Sequence, residues 1–460
     1  MGMNLQPIPA PYRADPKIAS LGAQIGDPVR GAAFPKAVLR FRNDRWAASV
    51  GLADLTDAQW IDHFAHFVPL PDNLPEPLAL RYHGHQFRVY NPEIGDGRGF
   101  LFAQLRGHEN RLLDLGTKGS GTTPYSRDGD GKLTLKGAVR EILATEMLEA
   151  LGVETSKTFS VIETGEQLWR GDEPSPTRSA VLVRLSHSHI RIGTFQRIAF
   201  EDDAERMKAL VHYVLTHLYD ETPTDNPAAQ LMQLAVGRIA DQAAAFMVAG
   251  FVHGVLNSDN INITGESFDY GPWRFNPTWN PHFTAAYFDQ NGLYAFGRQP
   301  EALHWNLAQL AISLRLISDS PPLVAALESY GSRFQSALVR RFLWRLGVRS
   351  NGFDSDCNLV EAAEKAMINT GIPIAEFFDQ HRGGRVPGHW HGDHYASFTA
   401  LLESHSSDMP ENEDASPDSC SMLIDEVETI WSAIAENDDW TPLYDKVAAI
   451  RKYGQNLRNR

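Results

Sequence analysis

Three oxygen-bearing side chains, Asp259, Asn260 and Asp269, bracket a short strand-like run in HGVLNSDNINITGESFDYGP. Oxygen ligands delivered from both ends of one hairpin are what a nucleotide-bound divalent cation requires. Closer to the start of the chain, GDGRG supplies Gly95, Gly97 and Arg98, and TKGSG supplies Lys118, twenty positions beyond Arg98. Glycines let backbone amides approach phosphate oxygens, and a lysine ending a strand reaches between them. The pentapeptide alone would equally close a hairpin turn. RDGDGK places Asp130 and Gly131 directly before a helical segment. Its carboxylate repels phosphate, so it suits a base, a ribose or a cap on that helix. VLVRLSHSHIRIG carries Arg184 and Arg191, seven apart. Guanidinium forks suit terminal phosphates, the alternative being a pair of surface arginines.

HGVLNSDN overlays the HRDxxxxN catalytic loop of protein kinases from His253 to Asn260, with Asp269 standing where those enzymes have the DFG aspartate. At the position of the catalytic aspartate stands Val255, an isopropyl group that neither accepts a proton nor orients a hydroxyl. The pattern reads as a kinase-like nucleotide site with its usual base missing and a displaced acid, Asp259, beside the asparagine. Glu141, on LKGAVREILATEMLEALG, is placed for the Lys–Glu pair that positions a kinase lysine, here Lys118; an exposed i,i+4 partner is the alternative. Arg140, Glu146, His187 and His189 read as structural or solvent-facing. His389, His391 and His394 lack the HExxH spacing of a helical zinc site and lie among Gly and Pro, so a loop and helix cap is expected, with Asp393 as N-cap.

These residues need elements to hold them. Short β-type runs at GFLFAQLRG, NRLLDLGTKG, KTFSVIETG and SAVLVRLS are bounded by turn residues, and between the second and third lies a helix whose apolar positions Val139, Ile142, Leu143, Met147, Leu148 and Leu151 recur at helical spacing before Gly152. After about residue 200 the periodicity is helical nearly throughout. The expected class is α+β, a protein-kinase-like two-lobed fold with a β-rich N-lobe containing one key helix and a mainly helical C-lobe. Residues 1–80 are expected to be an N-terminal extension packing on the body, 81–200 the N-lobe, and 201–460 the helical lobe with the catalytic loop at 253–272. The acidic, Pro-containing stretch at residues 405–421 reads as a mobile loop before two last helices.

The charge balance narrows the function classes. A net charge of −15, from 42 basic and 57 acidic residues, argues against nucleic-acid binding, which needs clustered Lys and Arg. No apolar run approaches the roughly 18 residues that span a bilayer, and the opening MGMNLQPIPAPYR lacks a signal-peptide pattern, so a cytoplasmic protein without membrane partners is expected. Cys357 and Cys420 have no disulfide or zinc spacing and read as reduced thiols.

In this order, GHQF, GDGR, TKGSGTTPYSR, GDG, REILATEM, VRLSHSHIRIG, HGVLNSDN and FDYGP resemble the selenoprotein O family of kinase-fold protein adenylyltransferases, over roughly residues 80–310. The resemblance implies transfer of AMP from ATP to Ser, Thr or Tyr hydroxyls of target proteins, with the nucleotide flipped relative to kinases. It assigns Gly95, Gly97, Arg98, Lys118, Asp130, Gly131, Arg184 and Arg191 to ATP, Asp259 as proton acceptor, Asn260 and Asp269 to Mg²⁺ (or Mn²⁺), and Glu141 as ion pair to Lys118. A γ-phosphotransferase and an inactive pseudokinase scaffold are the alternatives. The chain departs from the family in RVYNPEIGDGRG after GHQF, where a glycine-containing linker is usual, and in TKGSG in place of LKGAG. It ends in NLRNR without the reactive cysteine or selenocysteine of some members, so redox regulation through such a tail is not expected.

Overall fold

The computed structural model describes residues 7–171, 173–387, 395–409 and 420–458. His389, His391, Asp393 and His394, and residues 410–419 of the acidic stretch, lie outside them. The strands are β1 (Gly26–Pro28), β2 (Val38–Arg42), β3 (Leu78–Leu80), β4 (Gly84–Gln86), β5 (Val89–Asn91), β6 (Leu101–Arg106), β7 (Leu112–Lys118), β8 (Leu133–Thr134), β9 (Lys157–Leu168), β10 (Thr177–Ser186), β11 (Phe251–Val252) and β12 (Arg274–Phe275). The first helices are α1 (Asp44–Ser49), α2 (Asp57–Phe64), α3 (Leu135–Ala150), α4 (Ile192–Phe200), α5 (Ala204–Tyr213), α6 (Pro227–Ala249) and α7 (Gln299–Leu314). The rest are α8 (Ser320–Glu328), α9 (Tyr330–Leu346), α10 (Phe353–Thr370), α11 (Ile374–His381), α12 (Ala396–Glu403), α13 (Ile424–Asn437) and α14 (Thr441–Arg458). The class is α+β.

One antiparallel sheet runs β1-β3-β6-β7-β10-β9-β2, with β8 also paired to β10. Its central strands β7 and β10 are buried almost throughout, which is why they read as continuous apolar runs instead of alternating ones. The segment before residue 81 does more than pack on this body: β1 and β2 are the two edges of the sheet. The register of the sheet matters for the site. Gly116 of β7 faces Arg184 of β10, and Lys118 faces Leu182, so the lysine and the arginine emerge from neighbouring strands two residues apart.

Helix α3 packs on β9 and β10, and its N-cap is Thr134, whose hydroxyl accepts from the Gly137 amide at 3.1 Å. Asp130 is therefore not the cap of this helix. Nearly every face of α3 is buried, including Glu141, Glu146 and Glu149. The helical part is built on α6, which starts at Asn226 as cap with Pro227 at its first position and ends at left-handed Gly250 (φ 68°). Two strands of two residues, β11 and β12, close the base of the loop that carries residues 253–272.

The last two helices return to α3. Gly454 of α14 lies so close to α3 that an added Cβ would stand 2.8 Å from the Ala150 backbone. Arg451 donates from Nε and Nη2 to the two oxygens of Glu146 at 2.8 and 2.6 Å, and Lys136 reaches Glu428 of α13 at 2.7 Å. Glu146 is 4% exposed, and Arg451 is its nearest cation. Arg451→Ala is expected to destabilise the protein by about 3 kcal/mol in urea denaturation, because it leaves a buried carboxylate without its main cation. A loss below about 0.5 kcal/mol, the scale of an exposed pair, would show that α14 does not brace α3 through this contact.

Candidate functional site

Between the sheet and the 253–272 loop lies a cavity of about 710 Å³. It is lined by Gly95, Gly97, Arg98, Lys118, Asp130, Gly131, Arg184, Arg191, Asp259 and Asp269, ten of the twelve residues singled out from sequence. The other two stand next to it. Glu141 reaches Lys118 from α3, behind the wall, and Asn260 shares one turn of 3-10 helix, Ser258–Asn260, with Asp259.

The floor of the cavity is a charge cluster. Lys118 Nζ is held between Glu141, in a short contact, and Asp269 Oδ1 at 2.8 Å, and Arg184 Nη1 lies 3.5 Å from the same Asp269 oxygen. Lys118, Glu141, Arg184 and Arg191 are all buried, which excludes the surface alternatives for Glu141 and for the arginines. Burial pushes the Asp269 carboxyl up, but Lys118, Arg184, Arg191 and Arg98 outweigh it and hold the group well below the usual carboxylate range. Asp269 also sits at φ 64°, a left-handed conformation costly for a residue with a side chain, which the surrounding ion pairs maintain.

Arg191 is held differently. Its Nη2 donates to Asp96 Oδ1 at 3.0 Å, its Nη1 to the Asp259 carbonyl at 3.3 Å, and its guanidinium stacks 4.2 Å from the Tyr82 ring centroid. Asp96 completes the arrangement by accepting the Leu80 amide with its second oxygen. Sequence reasoning missed Asp96, although it lies inside GDGRG, because an acid between two glycines reads as a turn residue until its arginine arrives from 95 positions away. Within the protein, Arg184 Nε and Nη1 and Arg191 Nε have no hydrogen-bond acceptor. Buried donors left open beside a cavity are matched by a ligand bearing several acceptor oxygens.

The glycines act by leaving room. A Cβ on Gly95 would stand 2.5 Å from the Tyr125 ring, and one on Gly97 would stand 2.8 Å from the Tyr125 carbonyl. GDGRG thus packs directly on the PYSR turn, in the loop between β5 and β6, and is not the turn of a hairpin. Gly131 has φ 68° and its Cβ would meet the Gly121 backbone at 2.2 Å. Asp130 is clamped by Arg170, which donates to its two oxygens at 2.8 and 3.0 Å.

Asp259 and Asn260 occupy the other wall. Burial pushes the Asp259 carboxyl up to about 6; Arg191 opposes that rise and Asp269 adds to it. Its Oδ1 is buried without a hydrogen-bond partner. The Asn260 amide nitrogen donates to the Val255 carbonyl at 3.1 Å, which leaves its oxygen as the end available to a cation. Val255 therefore contributes its backbone to orienting Asn260, while its side chain offers no base. Among the described residues no group of three or more His, Cys, Asp or Glu forms a metal cluster; the Asn260 amide oxygen and the Asp269 carboxylate are of the hard oxygen type that suits Mg²⁺.

A hairpin fixes this wall. The His85 amide donates to Ser258 Oγ at 2.7 Å and the Phe87 amide to Asn257 Oδ1 at 3.0 Å, so β4–β5 grips the two residues before Asp259. His189, read as structural, is buried and bonds Asp114 through its amide at 2.9 Å. Cys357 and Cys420 are free thiols.

A family profile described as "Protein adenylyltransferase SelO" matches residues 11–451. The "Protein nucleotidyltransferase YdiU" of Synechococcus elongatus is 42% identical over 94% of this chain and 93% of its own. The protein of the same name from Synechocystis is 41% identical over 95% and 97%, and that of Trichodesmium erythraeum 42% over 95% and 98%. The likeness therefore extends well beyond residues 80–310, into the C-terminal helices where no motif had been legible.

The Lys118–Glu141 pair separates a structural from a binding role. Lys118→Met is expected to cost about 3 kcal/mol of stability by stranding Glu141, and Lys118→Met/Glu141→Leu to recover most of it, since replacing both charges by apolar groups is close to neutral. Neither variant should bind ATP measurably in calorimetry. Recovery of ATP binding in the stable double variant would mean that Lys118 is only a structural cation.

Proposed function

The chain belongs to the SelO family of protein adenylyltransferases and is a nucleotidyltransferase, and from that premise we propose that it transfers AMP from ATP to Ser, Thr or Tyr hydroxyls of target proteins, releasing pyrophosphate. The observation that carries this reading is the set of open donors on buried Arg184 and Arg191, beside Lys118, in a cavity of about 710 Å³. A triphosphate supplies the missing acceptors. The kinase-like two-lobed organisation, with the helical lobe at residues 201–460, belongs to the same reading: Arg98, Lys118 and Arg184 come from the sheet side, and Asp259 and Asp269 from the loop between β11 and β12.

Arg184, Arg191 and Lys118 bind the β- and γ-phosphates, so that the pyrophosphate leaves into a fixed positive field. Asp259, raised to about 6 and facing the cavity, accepts the proton of the attacking hydroxyl. Asn260 and Asp269 would hold Mg²⁺, with Asp259 beside them; the ion, when bound, offsets charge developing at the α-phosphorus. Val255 supports this reading over γ-phosphoryl transfer, because the kinase base position carries an isopropyl group.

With ATP labelled at the α- or the γ-phosphorus, protein is expected to acquire the α-label alone. Asp259→Ala should lower that transfer about 10²–10⁴-fold, the usual worth of a general base, while ATP still binds. Transfer of the γ-label, lost in Asp259→Ala, would establish a phosphotransferase instead.

Orientation has its own test. Arg184→Ala should weaken ATP by about 1.5–3 kcal/mol, as expected for charge-assisted hydrogen bonds, and leave AMP nearly unchanged. Competition binding of ATP, ADP and AMP reads this directly, and proportional losses across all three ligands would contradict a triphosphate tail at Arg184.

A further inference from the structure

The cavity has a second end. Among the described tryptophans Trp169 alone is exposed, at 75%, and it lines the cavity mouth with Arg170, Asp130 and Gly131. Its place follows from the sheet. Trp169 directly follows β9, whose last residue Leu168 faces Thr177 at the start of β10, whereas Arg184 lies seven residues further along β10. At about 3.3 Å per residue the two are separated by some 23 Å of strand. That separation is on the scale of an extended nucleoside triphosphate together with the side chains at its two ends.

The rim fixes the backbone at Trp169. Arg170, the next residue, clamps Asp130 with two hydrogen bonds at 2.8 and 3.0 Å, returns a third to the Trp169 carbonyl at 3.0 Å, and donates its amide to Ser175 Oγ at 2.8 Å. The Asp130 carboxylate is turned to this arginine and to the Lys132 amide, so its work is to fasten the rim. Lys118, Arg184 and Arg191 are buried on the cavity floor, whereas the exposed Trp169 lines the cavity beside Lys132 and Arg170.

Resting on the nucleotide reading above, we propose that Trp169 is the stacking platform for the nucleobase, at the opposite end of the cavity from the arginines that hold the triphosphate tail. An aromatic face attracts any base through its π-surface and excludes water from one side of it. Burying a ring that is exposed without ligand adds affinity and leaves the empty fold undisturbed.

The test uses the full chain and three probes: ATP, AMP and inorganic tripolyphosphate. Trp169→Ala should weaken ATP and AMP alike by about tenfold, within the range for loss of one base–aromatic stack, leave tripolyphosphate unchanged, and be largely rescued in Trp169→Phe. Unchanged thermal unfolding of the empty variant is part of the expected result. Equal losses for ATP and tripolyphosphate, or no loss for ATP, would overturn the proposal. Intact ATP binding with protein modification lost would assign the ring to the acceptor protein and overturn it equally. Wild type that binds none of the probes would overturn the nucleotide reading itself, an outcome distinct from the others.

Discussion

A buried ammonium between two carboxylates, Lys118 between Glu141 and Asp269, is the constraint on which the rest of the molecule turns. Removing these charges from water costs several kcal/mol each, and their mutual attraction barely offsets it. The surrounding fold must therefore hold three elements in one place: β7 for the lysine, α3 for Glu141 and the 253–272 loop for Asp269. The sheet supplies part of this, because β7 and β10 share a register that sets Lys118 and Arg184 side by side. The C-terminal helices supply another part. Arg451 on Glu146, Lys136 on Glu428 and Arg458 on the Glu149 carbonyl tie α3 to α13 and α14. Helices more than 270 residues from α3 in sequence thereby position a residue that touches the site lysine.

The opposite wall depends on neutral hydrogen bonds instead of charge. The β4–β5 hairpin binds Asn257 and Ser258 through its own backbone amides, and Gly84 approaches the Asp259 side chain so closely that a Cβ would lie 3.1 Å from it. At the hairpin tip both Phe87 (φ 50°) and Arg88 (φ 64°) are left-handed, and Arg88 is anchored to Glu301 at 3.1 Å and over the Trp305 ring at 5.4 Å. Such a turn favours Asn or Gly. Its strain is offset by the contacts at both ends, and it lies beside the acid proposed to accept a proton.

Much of this was legible in the residues, and the exceptions share a cause. The strands β6, β7, β9 and β10, the helix α3 and the acid-bearing loop all announce themselves within a dozen residues, through apolar runs, helical spacing or a motif. The three-residue edge strand β1 contains a proline and carries no local pattern; it exists because its partner β3 is 52 residues away in sequence. Asp96 and Arg170 belong to pairs closed across 95 and 40 positions, so neither shows in its own neighbourhood. The β4–β5 turn carries neither Asn nor Gly at its tip, and turn chemistry could not have announced it. Trp169 read as nothing, since exposure is a property of the fold.

The claim that a triphosphate lies with its tail on Arg184 and Arg191 and its α-phosphate toward Asp259 has a direct chemical consequence in the product that leaves. The decisive measurement is the inorganic product released as the wild-type chain modifies protein in the presence of ATP and Mg²⁺. Pyrophosphate formed in step with the modification, and absent without an acceptor, is the predicted result. Formation of ADP in step with the modification, with no pyrophosphate, would contradict the account.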